Sequence, residues 1–224
     1  MMAPSFAPIL EAARTRLDAG ALEARLTLPR MPAELKAVPD DRYLSQMELR
    51  IFRAGLKHSL VDAKWPAFEE VFDGFEPRRV RAMSDEAHEA LLGDRRLIRH
   101  WGKLKSVRDN AAAIIEVAEE QGSFGAWIAD WPGTDIVGLW EALAKRFSQM
   151  GGNSGPSFLR MVGKDTFVLT HSVTAALKRW AGVDPPPKNR KDRAVVQSHF
   201  NAWAAETGRP LCQLSLILAA SVDE

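Results

Sequence analysis

Residues 150–168 read MGGNSGPSFLRMVGKDTFV: a turn rich in glycine (Gly151, Gly152, Gly155), a proline at the head of a short apolar helix, and a second turn that presents Asp165. Glycine permits positive φ and close approach of the backbone to a partner, and Pro156 suits the first position of a helix. Backbone N–H groups at such a helix start attract an anion, so Gly152, Asn153, Ser154 and Gly155, with Lys164 close by in the chain, form a candidate phosphate clamp. Asp165 follows where a carboxylate can face whatever carries that anion. The same residues also suit an ordinary connection between packed helices, with Asp165 as an N-cap.

Helical patterning fills the chain on both sides of this stretch. Upstream, a long helix is predicted from about Lys103 to Gln121 and stopped by Gly122, followed by helices over Phe124–Asp130 and Val137–Gln149. Downstream, the patterns cover Phe167–Trp180, Lys191–Thr207 and Pro210–Ala220, with Pro185–Lys191 as a stiff, basic linker. Nearer the N-terminus, Asp40 and Asp41 open a helix that runs to about Arg53, with Tyr43, Met47, Ile51 and Phe52 inward, before the break at Ala54-Gly55-Leu56. Pro66 and Pro77 each suit the first turn of a short helix (65–72 and 77–83), and Ser84-Asp85-Glu86 supplies a hydroxyl cap followed by two acids. Pro8–Leu26 is helical with an interruption at Gly20. No run alternates with period two for long enough to argue a strand, which makes the chain all-α.

With 224 residues, the chain can enclose one sizeable core or two small lobes. Its 30 basic and 29 acidic residues nearly cancel, so any nucleic-acid binding must come from local clusters such as Arg95, Arg96, Arg99, Lys103, Lys105 and Arg108. The lone Cys212 excludes an internal disulfide framework and a cysteine-rich metal site, and the five histidines show no paired ligand spacing. No metal or other cofactor is expected. No apolar run reaches membrane-spanning length, and the expectation is a cytoplasmic, monomeric protein.

The glycine-rich turn, short helix and Lys164-Asp165-Thr166 turn resemble the helix-hairpin-helix DNA glycosylase superfamily, in which the hairpin grips one DNA strand and the aspartate is catalytic. Residues 72–113 are similar to the 3-methyladenine DNA glycosylase I family, through the Phe75-x-Pro77-x-x-Val80-x-x-Met83 run and the segment Ile98-Arg99-His100-Trp101-Gly102-Lys103; the Ala54-Gly55-Leu56 turn fits the same family. The resemblance covers roughly residues 40 to 221. It implies two helical lobes flanking a DNA-facing cleft, with residues 1–38 as an N-terminal extension, 39–221 as the glycosylase-like region, and a second lobe that joins N-terminal to C-terminal helices.

The implied function is a monofunctional DNA glycosylase of base excision repair that flips an alkylated purine such as 3-methyladenine out of double-stranded DNA and hydrolyses its bond to the sugar. Asp165 would stabilise the sugar cation and guide water. Leu56 matches the residue that enters the stack when the damaged nucleotide leaves, with Arg53 beside it. Phe52, His58 and Trp101, with Trp65, are candidate walls of the base pocket. Several positions depart from the family. Its pocket glutamate falls at Arg50, its pocket tryptophan at His58, and the lysine of bifunctional members at Ser157; its zinc ligands are missing. A second reading is a DNA-binding module that recognises damaged or bent DNA without chemistry, and a third is a helical interaction protein that has lost DNA binding.

Overall fold

The computed structural model describes residues 3–223, and it is helical throughout, with no strand among the described residues. In chain order the helices are α1 (Ala7–Arg16), α2 (Ala19–Glu23), α3 (Pro32–Ala37), α4 (Asp40–Arg53), α5 (His58–Val71), α6 (Pro77–Ala82), α7 (Asp85–Ala90) and α8 (Trp101–Gln121). They continue as α9 (Phe124–Asp130), α10 (Ile136–Arg146), α11 (Ser154–Val162), α12 (His171–Ala181), α13 (Arg190–Thr207) and α14 (Leu211–Ala220). The chain divides into two compact units. One gathers Met1–Arg30, Pro132–Leu139 and Gly163–Glu224; the other holds Met31–Trp131 and Trp140–Val162.

In the larger unit, α8 packs against α4, α6 and α9, and α4 packs also against α5 and α11. Leu104, Val107, Ala111 and Ile114 recur at three- and four-residue spacing along α8 and are fully buried, which is the stripe expected of a core helix. A run of rings fills the space beside α4: Phe52 meets Phe68 edge-on at 4.6 Å, while Trp65 stacks on Phe68 at 4.9 Å and on Phe75 at 5.4 Å. This cluster explains why α5 begins at His58 and carries Pro66 inside it, rather than starting at Trp65 as the proline suggests. Val61, Trp65 and Phe68 are buried on one face across the proline, and that burial outweighs the intrahelical bond that Pro66 cannot donate.

The other unit is organised on α14, which packs against α1, α12 and α13. Trp203 of α13 is fully buried, lies 5.5 Å from Phe6 and donates its indole N–H to the Pro4 carbonyl at 2.7 Å. Phe167 stacks on Phe200 at 4.0 Å. The expected helix over 167–180 starts only at His171, because Thr170 caps it by accepting the Val173 N–H at 3.2 Å, while Val168 donates to the Ser215 hydroxyl instead of to a helix. The first unit boundary falls between Arg30 and Met31, and α1 and α2 share a unit with α12, α13 and α14.

Gly125 of α9 shows how closely the larger unit is packed. A Cβ there would stand 2.6 Å from the Leu35 carbonyl oxygen and 3.1 Å from the Tyr43 ring, whose hydroxyl already donates to that same carbonyl at 2.8 Å. Gly125→Ala is expected to cost about 1–3 kcal/mol in urea denaturation, the range of core overpacking. Gly151→Ala, with nothing within 4 Å of the added carbon, should stay within about 0.5 kcal/mol of the parent.

Candidate functional site

The exposed turn after α4 is the first part of the site. Gly55 takes φ 74°, so the chain leaves the helix in a left-handed step that presents Leu56 to solvent at 36% exposure. Lys57, His58 and Leu60 continue the exposed run, Leu60 at 50%. Arg53 forms an ion pair with Asp62 at 2.7 Å. The buried Lys103 amine donates to the carbonyls of Phe52 and Ala54, closing the end of α4 with a cation where the helix dipole favours one.

The expected base-pocket rings separate. Phe52 is fully buried among Phe68 and Trp65, and Trp65 gives its N–H to the Ser45 hydroxyl at 3.2 Å. Both are core residues, and Phe52 offers no face to a ligand. Trp101 is 40% exposed, lies 5.3 Å from the His88 ring and lines a cleft of about 160 Å³ with Asp85, Glu89, Lys105 and Arg108. His58 is exposed at the first position of α5.

The glycine turn is anchored by residues that its own sequence does not announce. Asn110 of α8 accepts the Ser148 N–H at 2.7 Å and donates back to the Ser148 carbonyl at 3.2 Å, and Gln149 donates to the Gly102 carbonyl at 2.6 Å. These contacts hold Gln149 at φ 59°, a backbone that a residue with a side chain adopts only with support. Beyond it, Gly152 takes φ 59° and is exposed, as are Gly151 and Asn153, while Ser154 opens α11 two residues ahead of Pro156. Gly155 is buried, and a Cβ there would meet the Met150 carbonyl oxygen at 3.1 Å.

Asn110 also donates to Glu48 of α4 at 2.7 Å, and Glu48 is fully buried with its second oxygen 3.2 Å from the Ser106 hydroxyl. Burial pushes the Glu48 carboxyl up to about 8, with Asp109 adding to the shift and the bonds from Asn110 and Ser106 opposing it. Ser106 has a single hydroxyl proton, and the Lys103 carbonyl at 2.7 Å takes it, so a protonated Glu48 donating to Ser106 satisfies every atom. The signal in the sequence was an acid at the fourth position after Leu44 and the third before Ile51, within the apolar arc of α4.

Asp165 and Lys164 belong to the other unit. Both Asp165 oxygens accept backbone N–H groups at the start of α14, from Leu211 and Cys212, each at 2.9 Å. This caps α14 and not the helix that follows Asp165 in the chain, and the same carboxylate borders a cavity of about 390 Å³ with Asn201, Arg209 and Pro210. Lys164, expected as an exposed phosphate contact, is only 8% exposed. Among the described residues no three of His, Cys, Asp and Glu gather as a metal site, and no helix is long and apolar enough to cross a membrane.

This fold is that of the helical DNA glycosylases. The chain is similar to a crystal structure of 3-methyladenine DNA glycosylase I (24% identity, 61% of this chain and 81% of that one, TM-score 0.50) and to a mutant of that enzyme from Staphylococcus aureus (21%, 68% and 90%, 0.52). It is also similar to an 8-oxoguanine glycosylase/lyase from Methanocaldococcus jannaschii, solved with DNA, over 94% of this chain and 93% of that one (16% identity, TM-score 0.51). No curated protein sequence is a match. Residues 36–150, half of the chain, match the methyladenine glycosylase family, and the chain belongs to that family.

Glu48 makes stability depend on pH in a stated direction. A carboxyl whose folded value lies above its unfolded 4.5 binds its proton more tightly in the folded state, so its contribution is complete below about pH 4.5 and is lost as pH rises toward 8. Glu48→Gln keeps the shape and the donor to Ser106 but does not titrate. We expect the parent to lose urea stability between pH 5 and pH 9 and the Gln variant to lose much less; parallel curves would remove Glu48 from this role.

Proposed function

We propose that the protein is a monofunctional DNA glycosylase that acts as a monomer on double-stranded DNA, in a reducing cytoplasm that suits its lone Cys212, and hydrolyses the bond between an alkylated purine such as 3-methyladenine and its sugar. The observation that carries the reading is membership of the methyladenine glycosylase family across residues 36–150, a span that includes the exposed turn at Leu56 and the anchored entry to the glycine turn. An alkylated purine already carries positive charge and leaves with little acid assistance. The work left to the protein is to extrude the nucleotide, hold it and admit water. Leu56 is shaped for the first task, because an exposed apolar side chain beside Lys57 can fill the gap in the stack while Lys57 faces phosphate and Arg53 stays paired with Asp62. Gly152, Asn153 and Ser154 would seat a phosphate on the turn that Asn110 and Gln149 hold.

Ser157 cannot form an imine with the sugar, so base removal should proceed without strand cleavage. The test is chromatography of bases released from methylated duplex DNA, followed by borohydride trapping on abasic-site duplex. Released 3-methyladenine without a trapped adduct supports the reading. DNA binding with no released base would establish the non-catalytic module instead.

Asp165 serves here as a cap. In Asp165→Asn one backbone N–H would face an amide, so we expect a loss of about 0.5–2 kcal/mol of stability with base release per folded molecule within about threefold of the parent. A hundredfold fall in release at unchanged stability would restore the catalytic assignment. Leu56→Ala should weaken binding to abasic-site duplex more than to undamaged duplex, since only the former has a gap to fill. Equal losses, or a large drop in melting temperature, would place Leu56 with the core.

A further inference from the structure

Arg50, like Arg193, is a partly covered arginine whose Nε is buried with no hydrogen-bond partner, and Arg50 is the one of the two that borders the exposed turn after α4. Arg42, Arg146 and Arg209 are each partly covered and each holds a carboxylate, Glu69, Glu120 and Glu23 respectively. Arg50 is half-buried in the last turn of α4, its Nε is sealed from solvent with no hydrogen-bond partner, and its side chain makes no ion pair with any described residue. Its charged neighbours are cations. Burial lowers the Arg50 affinity for its proton and Arg53 lowers it further; burial and then Arg50 do the same to Lys103. Asp62 neutralises Arg53, and the Lys103 amine is spent on two carbonyls, so nothing in this cluster balances Arg50. Glu48, two residues earlier, is turned to Asn110 and Ser106.

The end of a helix favours a cation, which accounts for charge of this sign but gives Nε no acceptor. A buried donor left unmade destabilises the fold, and a guanidinium is suited to oxygens in a planar, two-point arrangement. The site lies one turn of helix before the exposed Gly55–Leu60 surface, where Leu56 and Lys57 face solvent.

We propose that Arg50 is a DNA-contact residue, whose unpartnered guanidinium beside Arg53 and Lys103 takes an acceptor oxygen of the bound nucleotide, either of a phosphodiester or of a carbonyl on the extruded base. The proposal rests on the DNA glycosylase reading for its ligand, yet it is tested by binding, so that absent base release in the parent would sink that reading without deciding this one.

The experiment compares Arg50→Met and Arg50→Gln with the parent. Removing a desolvated cation without a partner should raise the melting temperature, whereas a structural role would lower it. If the oxygen is a phosphate, affinity falls about tenfold for both abasic-site and undamaged duplex, and the slope of log affinity against log salt shrinks by about one. If the oxygen belongs to the base, duplex affinities hold, and quenching of tryptophan fluorescence by free 7-methylguanine, which carries a carbonyl, weakens at least about tenfold relative to quenching by free 3-methyladenine, which does not. Arg50→Lys, with the charge but not the fork, should recover only part of either loss. Variants that bind both duplexes and both free bases as the parent does overturn the proposal, as does a fall in melting temperature with unchanged binding.

Discussion

A carboxyl group sealed between α4 and α8 ties together three segments of the larger unit. Glu48 has no access to water, so both of its oxygens must be matched within the protein, and Asn110 and Ser106 match them. Asn110 then has one face left, and it spends that face on both backbone groups of Ser148. Three segments distant in sequence are thereby held in one register: the helix that ends in the Gly55–Leu56 turn, the helix that begins at Trp101, and the strained step through Gln149 into the glycine turn. Apolar packing alone would tolerate small slips between α4 and α8. A fully matched buried polar network does not, because a slip leaves a carboxyl or an amide without a partner.

The consequence for function is a rigid support under a small amount of exposed chemistry. The chain as a whole is close to neutral, and DNA attraction must be local. In the proposed function the exposed turn would supply this on a short run, with apolar Leu56 and Leu60 set among Lys57, His58 and Arg53. Backbone and side chains behind the turn are fixed by Lys103 and by the ring cluster of Phe52, Trp65 and Phe68. An apolar residue proposed to enter a base stack works only if the chain behind it does not recoil, and that burial would supply the stiffness.

Asp165 illustrates how one pattern serves two ends. An aspartate a few residues beyond a glycine-rich turn reads equally as a reactive carboxylate or as a cap, because both uses need an oxygen near free N–H groups. Which helix receives it was not legible: α14 starts more than forty residues downstream, and no local periodicity links Asp165 to Leu211 and Cys212. Lys164 joined the candidate clamp only through its nearness in the chain, and the fold buries it.

By itself the sequence determined the all-helical class, most helix ends and the family, since apolar spacing, caps such as Ser84, and stops such as Gly122 act over a few residues of chain. It also determined which segments carry the glycine turn and the Leu56 turn. Tertiary structure alone decided that α5 runs through Pro66, that Phe52 is core and not pocket, that Asp165 caps α14, and that Glu48 is buried and neutral near pH 7 while Arg50 is left without a partner. Each of these depends on what another helix places opposite the residue, and burial and partner choice are properties of that juxtaposition, not of the residue's neighbours along the chain.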